Sequence, residues 1–296
     1  MLRQLADYAI ARHDPALVGR DDRYLAWLEA VCERQAYLIA QWMLVGFIHG
    51  VMNTDNAALS GETIDFGPCA FMERYDPQAV FSSIDTGGRY AYANQPSIGR
   101  WNLARMAESI LLLIDADEDE AIAAATRVIE SFESRFEAHW LAGMRAKLGL
   151  TGQAEDDDAL ARDWLLLLET GAADYTQSMR ALADAAEGRR EALDGLLGAV
   201  PGVDNWVARW QERAAADNAN AAGRAAWMRR RNPVYLARNH LVEAALDAAW
   251  RDDDLAPFER LLAVLARPFE VQPGMDDLAA PAPTAFTAGF RTFCGT

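Results

Sequence analysis

Between Asp21 and Gly46 apolar residues recur at the three- and four-residue spacing of a helix face, beginning with Tyr24, Trp27, Leu28 and Val31. No proline interrupts them, so the stretch predicts one long helix. The same rhythm returns after Ser97, through Trp101, Leu103, Met106, Ile110, Leu113 and Ile114. Further helices are predicted over 118–148, 156–170, 174–187, 190–199 and 204–230. Several carry acids in the first turn, as at Asp156 to Asp158, where negative charge complements the helix dipole. Asn232 as N-cap, followed by Pro233, predicts a helix running toward Trp250. The proline-rich stretch from Pro268 to Thr296 reads as an extended, mobile tail. A stacked-repeat architecture would need a signature recurring every 30 to 45 residues or so, and none emerges. The predicted fold class is mainly α.

The helical rhythm breaks between Gly46 and Pro96. Ala57 to Leu59 and Glu62 to Asp65 are short, partly apolar runs flanking Ser60-Gly61, a pair suited to a tight turn, and they predict a small β-hairpin. From Phe66 to Pro96 the chain is rich in Gly, Pro, Ser, Asp and aromatic residues, which predicts a large ordered loop. Within it Gly88-Arg89-Tyr90 and Asn94-Gln95-Pro96 are candidate binding elements or, equally, residues that satisfy the loop's own backbone.

Composition narrows the choice. At 296 residues with 51% hydrophobic residues and nine tryptophans, the chain can bury a core as one large domain or two modest ones. A net charge of -16 opposes an extended grip on nucleic acid. The run Arg229-Arg230-Arg231 reads as cations closing a helix C-terminus rather than as a phosphate patch. Cys32, Cys69 and Cys294 form neither a zinc pattern nor a disulfide framework, which points to a reducing compartment. The N-terminus carries no signal-peptide pattern. The apolar stretch 36–52 is short for a membrane span and is interrupted by Gln41 and His49. A cytoplasmic protein with neither nucleic-acid nor membrane partners is expected.

The break in the pattern also holds the candidate chemistry. Asp55 and Asn56 sit side by side, and Asp65 follows nine residues after Asn56 in an Asp-Phe-Gly turn. The predicted hairpin would return Asp65 to Asn56. Magnesium takes about six oxygens but only one or two from carboxylates, leaving the rest to water and phosphate. Asp65 and the Asn56 amide oxygen suit that demand. Neighbouring extended residues face opposite ways, so Asp55 would be free to accept a proton from an attacking hydroxyl. The competing use of Asp and Asn is to cap a turn, their commonest role in loops. A metal hydrolase is disfavoured, because His13, His49, His139 and His240 are scattered and none lies in an HExxH pattern.

The segments HGVMNTDN (His49 to Asn56), TIDFGP (Thr63 to Pro68), GRYAYANQPSIGRWNLARMAESI (Gly88 to Ile110), RNPVYLARNHLVEAAL (Arg231 to Leu246) and the terminal FCGT resemble the selenoprotein O family over most of the chain. That family has a protein-kinase-like fold and transfers AMP from ATP to Ser, Thr or Tyr hydroxyls of proteins. The resemblance implies Asp55 as proton acceptor, Asn56 and Asp65 as ligands of Mg2+ (or Mn2+), and Asp65 as the residue that holds the nucleotide through it. His49 stands where an ordinary kinase opens its catalytic loop, but Val51 replaces the usual aspartate and the acid lies at Asp55.

No glycine-rich phosphate loop precedes His49, and the only lysine is Lys147. The chain therefore resembles the helical C-terminal lobe over 1–267, with catalytic loop 49–56, metal turn 65–68 and activation-like segment 66–96, followed by a tail over 268–296. Cys294 occupies the family's terminal selenocysteine or cysteine position and implies a redox role. Cys69 is a conceivable partner, although Phe81 stands where some relatives have cysteine. The alternative reading is a non-catalytic helical lobe that binds proteins or works beside a separate N-terminal lobe.

Overall fold

The computed structural model describes residues 1–217 and 220–293. Its elements are mainly helical. α1 (Leu2–His13) leads into α2 (Arg23–Val45), whose buried face runs from Tyr24 through Leu28, Val31, Gln35 and Ile39 to Trp42. α3 (Gln95–Ile114) and α4 (Glu118–Lys147) pack against α2 and each other. They come close where Gly99 and Gly143 present no side chain: a Cβ there would lie 2.3 Å from Ile39 and 2.1 Å from Leu44. α4 opens with Asp117, whose carboxylate caps the amides of Asp119 and Glu120.

α5 (Asp157–Thr170), α6 (Tyr175–Ala185), α7 (Glu191–Leu197) and α8 (Val203–Ala215) extend this core. Trp164 and Trp206 pack with ring centroids 4.5 Å apart, and Trp210 stacks on Trp206 at 5.9 Å. Two of these indoles donate to backbone carbonyls, Trp206 to Leu160 and Trp210 to Leu148, so the polar edge of each ring is satisfied as its body is buried. A second, smaller cluster of Tyr235, Leu261, Val264 and Leu278 joins α10 (Asn239–Asp252), α11 (Ala256–Leu265) and α12 (Asp276–Ala279).

Four expectations are corrected. The predicted hairpin around Ser60-Gly61 forms its turn, with Gly61 at φ +77° and its N–H donating to Ala58 O at 3.0 Å, but no strands flank it. The polar groups of that segment are instead held by α2: Arg34 donates to Leu59 O, Gln35 to Ala58 O and Trp42 to Thr63 Oγ1. The two-stranded antiparallel sheet lies outside it, β1 (Phe47–Ile48) pairing with β2 (Ala70–Phe71), so that it closes the base of the whole 49–69 loop.

The helix predicted over 204–230 is two, α8 and α9 (Ala221–Arg229). Asp217 leaves the helical path to accept from the backbone amides of Thr151 and Gly152 and from Arg213. α10 starts at Asn239 rather than at Pro233, because Asn232 is buried and donates to Lys147 O while Arg238 is drawn into an ion pair with Asp174. The stretch from Pro268, expected to be extended, carries α12 and α13 (Thr284–Gly289) among its described residues. α12 buries Leu278 in the second cluster, and Thr292 bonds into the 81–83 segment. No described helix is long and apolar enough to cross a membrane.

Candidate functional site

Besides the bonds from α2, the 49–69 loop is fixed by side chains that reach it from α3 and from Tyr90. Gln95, in the first turn of α3, accepts from His49 N at 3.0 Å and donates to Phe47 O at 3.0 Å. Asn102, two turns further along α3, donates to Met52 O at 3.1 Å. Tyr90 donates its hydroxyl to Asn53 Oδ1 at 2.7 Å. At Gly50 the backbone crosses the metal turn so closely that a Cβ would sit 2.5 Å from Pro68 O, and φ is +85°. Only glycine fits both constraints.

His49 is buried, and that burial holds its imidazole below the ordinary histidine value. The neutral ring donates from Nε2 to Ile64 O at 2.9 Å and accepts the Val51 amide at Nδ1, which fixes its tautomer. Its role is to clamp the peptide just before Asp65. Asp65 adopts φ +55°, a left-handed conformation that Asp tolerates better than most residues and that recurs at functional sites.

This turn brings Asp65 to Asn56. The Asn56 Nδ2 group donates to Asp65 Oδ2 at 2.8 Å and to Val51 O at 3.0 Å. Two acceptors define the amide orientation and leave Oδ1 as the free oxygen. Asp55, in the single 3-10 turn Thr54–Asn56, is exposed beside it. The three sequence-predicted residues are therefore together. Among the described residues no group of three His, Cys, Asp or Glu side chains is placed to hold a metal. One carboxylate and one amide oxygen suit a hard cation shared with phosphate and water, rather than zinc or a calcium cage.

Other singled-out residues play different parts. Lys147, at the end of α4, is 5% exposed, with Nζ 5.9 Å from the centroid of the Tyr175 ring, and supplies no charge to the loop. Arg229 lies in the last turn of α9, as expected of the arginine run, and also pairs with Asp184 and Glu187. Cys69 is partly buried, and its burial pushes the thiol up to about 11, so it is protonated near neutral pH. Cys294 lies outside the described residues.

Among the described residues His240 has a buried Nδ1 without a hydrogen-bond partner, 3.9 Å from Glu73 Oε1. Burial lowers its imidazole value and raises that of the Glu73 carboxyl. Glu73 and Asp174 both engage Arg238. Asn239 extends the sheet edge, accepting from Phe71 N and donating to Phe71 O.

Sequence reasoning missed the residues that position the loop: Arg34, Gln35, Trp42, Gln95 as an anchor, and Asn102. The available signal was a polar residue within a buried stripe, such as Gln35 between Val31 and Ile39.

The model of the family described as protein adenylyltransferase SelO matches residues 1–266. The chain is 54% identical over 297 residues to the protein nucleotidyltransferase YdiU of Chromobacterium violaceum, covering all of this chain and 62% of that protein. A relative of the same description from Cereibacter sphaeroides is 54% identical over 295 residues, with 60% of its length covered. One from Rhizobium etli is 52% identical over 298 residues, with 59% covered. The chain thus spans about 60% of the length of these curated relatives.

Proposed function

The chain belongs to the SelO family of protein adenylyltransferases, and from that premise we propose that its 49–69 loop is the metal and nucleotide half of a site that transfers AMP from ATP to Ser, Thr or Tyr hydroxyls of protein substrates. In this reading residues 1–267 are a kinase-like C-terminal lobe working in the cytoplasm. The observation that carries it is the saturated Asn56 amide nitrogen, which leaves Asn56 Oδ1 beside the Asp65 carboxylate.

Asn56 and Asp65 would hold Mg2+, or Mn2+, which accepts the same oxygen donors. When bound, the cation supplies neutralisation of the triphosphate charge. Asp55 takes the proton from the substrate hydroxyl as its oxygen bonds to the α-phosphorus. The bond between the α-phosphorus and the bridging oxygen to the β-phosphate breaks, and pyrophosphate leaves. His49, Gln95 and Asn102 contribute positioning, which is a large part of catalysis when the protein makes no covalent bond itself.

The test uses ATP labelled at the α-phosphate, and separately at the γ-phosphate, with the full chain and a mixture of candidate protein substrates. Label from the α position alone is expected in protein. Asp55→Asn is expected to lower its transfer by about 100-fold or more, the usual worth of a positioned general base. Equal transfer by the Asp55→Asn chain would falsify the assignment of Asp55.

A further inference from the structure

Near the loop that carries Asp55, an exposed indole has two guanidinium groups close to its ring. Trp101, 41% exposed on α3, has the Arg89 guanidinium 4.9 Å and the Arg105 guanidinium 5.3 Å from its ring centroid. Arg89 also lies 5.7 Å from the Tyr90 ring, and Tyr90 is bonded to Asn53, two residues before Asp55. On the other flank Arg105 lines a hollow of about 420 Å³ with Thr54, Ala57 and Met106. The cluster is thus linked to the Asp55 loop through Tyr90 at Asn53 and through the hollow that Arg105 shares with Thr54 and Ala57.

Several guanidinium groups of this chain are engaged by carboxylates: Arg145 and Arg213 converge on Asp157, and Arg229 on Asp184 and Glu187. Arg89 has no carboxylate partner among the described residues. The acid nearest to it in sequence, Asp85, uses its two oxygens to accept the backbone amides of Arg89 and Tyr90, at 2.8 and 2.7 Å. Asp85 thus shapes the loop and leaves the side-chain charge uncompensated. Among the described residues Arg105 pairs with Glu108 alone, one turn away and exposed, an exchangeable contact of small worth. A guanidinium held over an indole can still present its N–H edge to a carboxylate, directly at Arg89 and by exchange with Glu108 at Arg105.

We infer that Arg89, Trp101 and Arg105 form a docking platform for an acidic segment of the protein substrate, placed so that a neighbouring hydroxyl reaches Asp55. Charge complementarity selects this occupant. A surface of net charge -16 repels acidic polypeptides in general, and this cationic patch provides the compensating charge beside the reacting residue. The hollow beyond Arg105, walled by Met106 and Leu103, receives an apolar side chain of the same segment. This inference rests on the reading of Asp55 as proton acceptor.

The test is fluorescence anisotropy at low salt, without nucleotide, on the full chain. One labelled peptide carries a serine flanked by glutamates and a leucine; a second has lysines in place of the glutamates. The glutamate peptide is expected to bind more tightly and to weaken as salt is added. Arg89→Glu is expected to raise its Kd about tenfold, and Trp101→Ala several-fold. Arg251→Glu, on the remote helix α10, is expected to leave it unchanged, with circular dichroism confirming that each variant is folded. Equal binding of both peptides, no binding of the glutamate peptide, or an unchanged Kd in Arg89→Glu overturns the platform. Because nucleotide is absent, peptide binding by a chain that fails to bind ATP keeps the platform and removes the proposed function, and the reverse result does the opposite.

Discussion

Lys147 carries an unusual burden for the only lysine in the chain. Its ammonium is buried, and loss of solvation pushes it down to about 7 from an ordinary 10.5. A base with a lowered folded value holds its proton less well folded than unfolded. Between pH about 7 and 10.5 the unfolded chain therefore binds more protons, and stability contributed by this site rises with pH across that window. Below it both states are protonated and the dependence vanishes. Lys147→Met keeps the length and removes the charge. It is expected to raise stability near pH 7 by up to roughly 4 kcal/mol and to flatten the rise toward alkaline pH, as read by urea denaturation at several pH values. An unchanged slope would show that Lys147 is solvated.

The chemistry of Asp55, Asn56 and Asp65 was legible at this scale because three informative residues fall within eleven positions, 55 to 65. Gln35, Gln95 and Asn102 were not. Each bonds to backbone 23 to 50 residues away, and a sequence period reports which face a residue occupies, not which distant carbonyl it meets.

Among the elements, helix bodies were read well and their junctions poorly. The 3.6-residue rhythm found α2, α3, α4, α5 and α6, because burial of one face is what stabilises a helix in a folded chain. Missed were the places where a tertiary contact outbids local propensity: Asp217 pulled onto the 151–152 amides, Arg238 held by Asp174, and the runs beside Ser60-Gly61 tied to α2 instead of to each other.

The loop between β1 and β2 depends on the backbone crossing at Gly50, which makes it the element to perturb. Gly50→Ala combines positive φ with a Cβ 2.5 Å from Pro68 O. It is expected to cost about 1–3 kcal/mol from conformation alone, and more from the clash. Gly19→Ala has a similar φ of +82° in open space, with nothing within 4 Å, and is expected to cost only the conformational part. Thermal denaturation of the pair separates the two contributions. Equal losses would mean that the crossing at Pro68 is relaxed.

At the scale of the whole molecule, a tryptophan-rich helical core carries one irregular loop, and the candidate chemistry sits in that loop rather than in the helices. Composition announced the core but not its division into a large cluster and a smaller one around Tyr235 and Leu261. That division arises from segments brought together late in the chain, where Val234 and Tyr235 donate their amides to Pro268 O. The helices explain how an exposed carboxylate pair is held in register: α2 and α3 bond the loop and its base at Ala58, Leu59, Phe47, His49 and Met52.

The central claim is that this held loop binds a metal nucleotide through Asn56 and Asp65. Isothermal titration of the full chain with ATP and magnesium, repeated on Asp65→Ala and without magnesium, tests it most directly. Saturable heat with the unmodified chain is expected, lost or weakened at least tenfold when either the carboxylate or the metal is removed. Heats that are the same in Asp65→Ala, or independent of magnesium, or absent from the unmodified chain, contradict it.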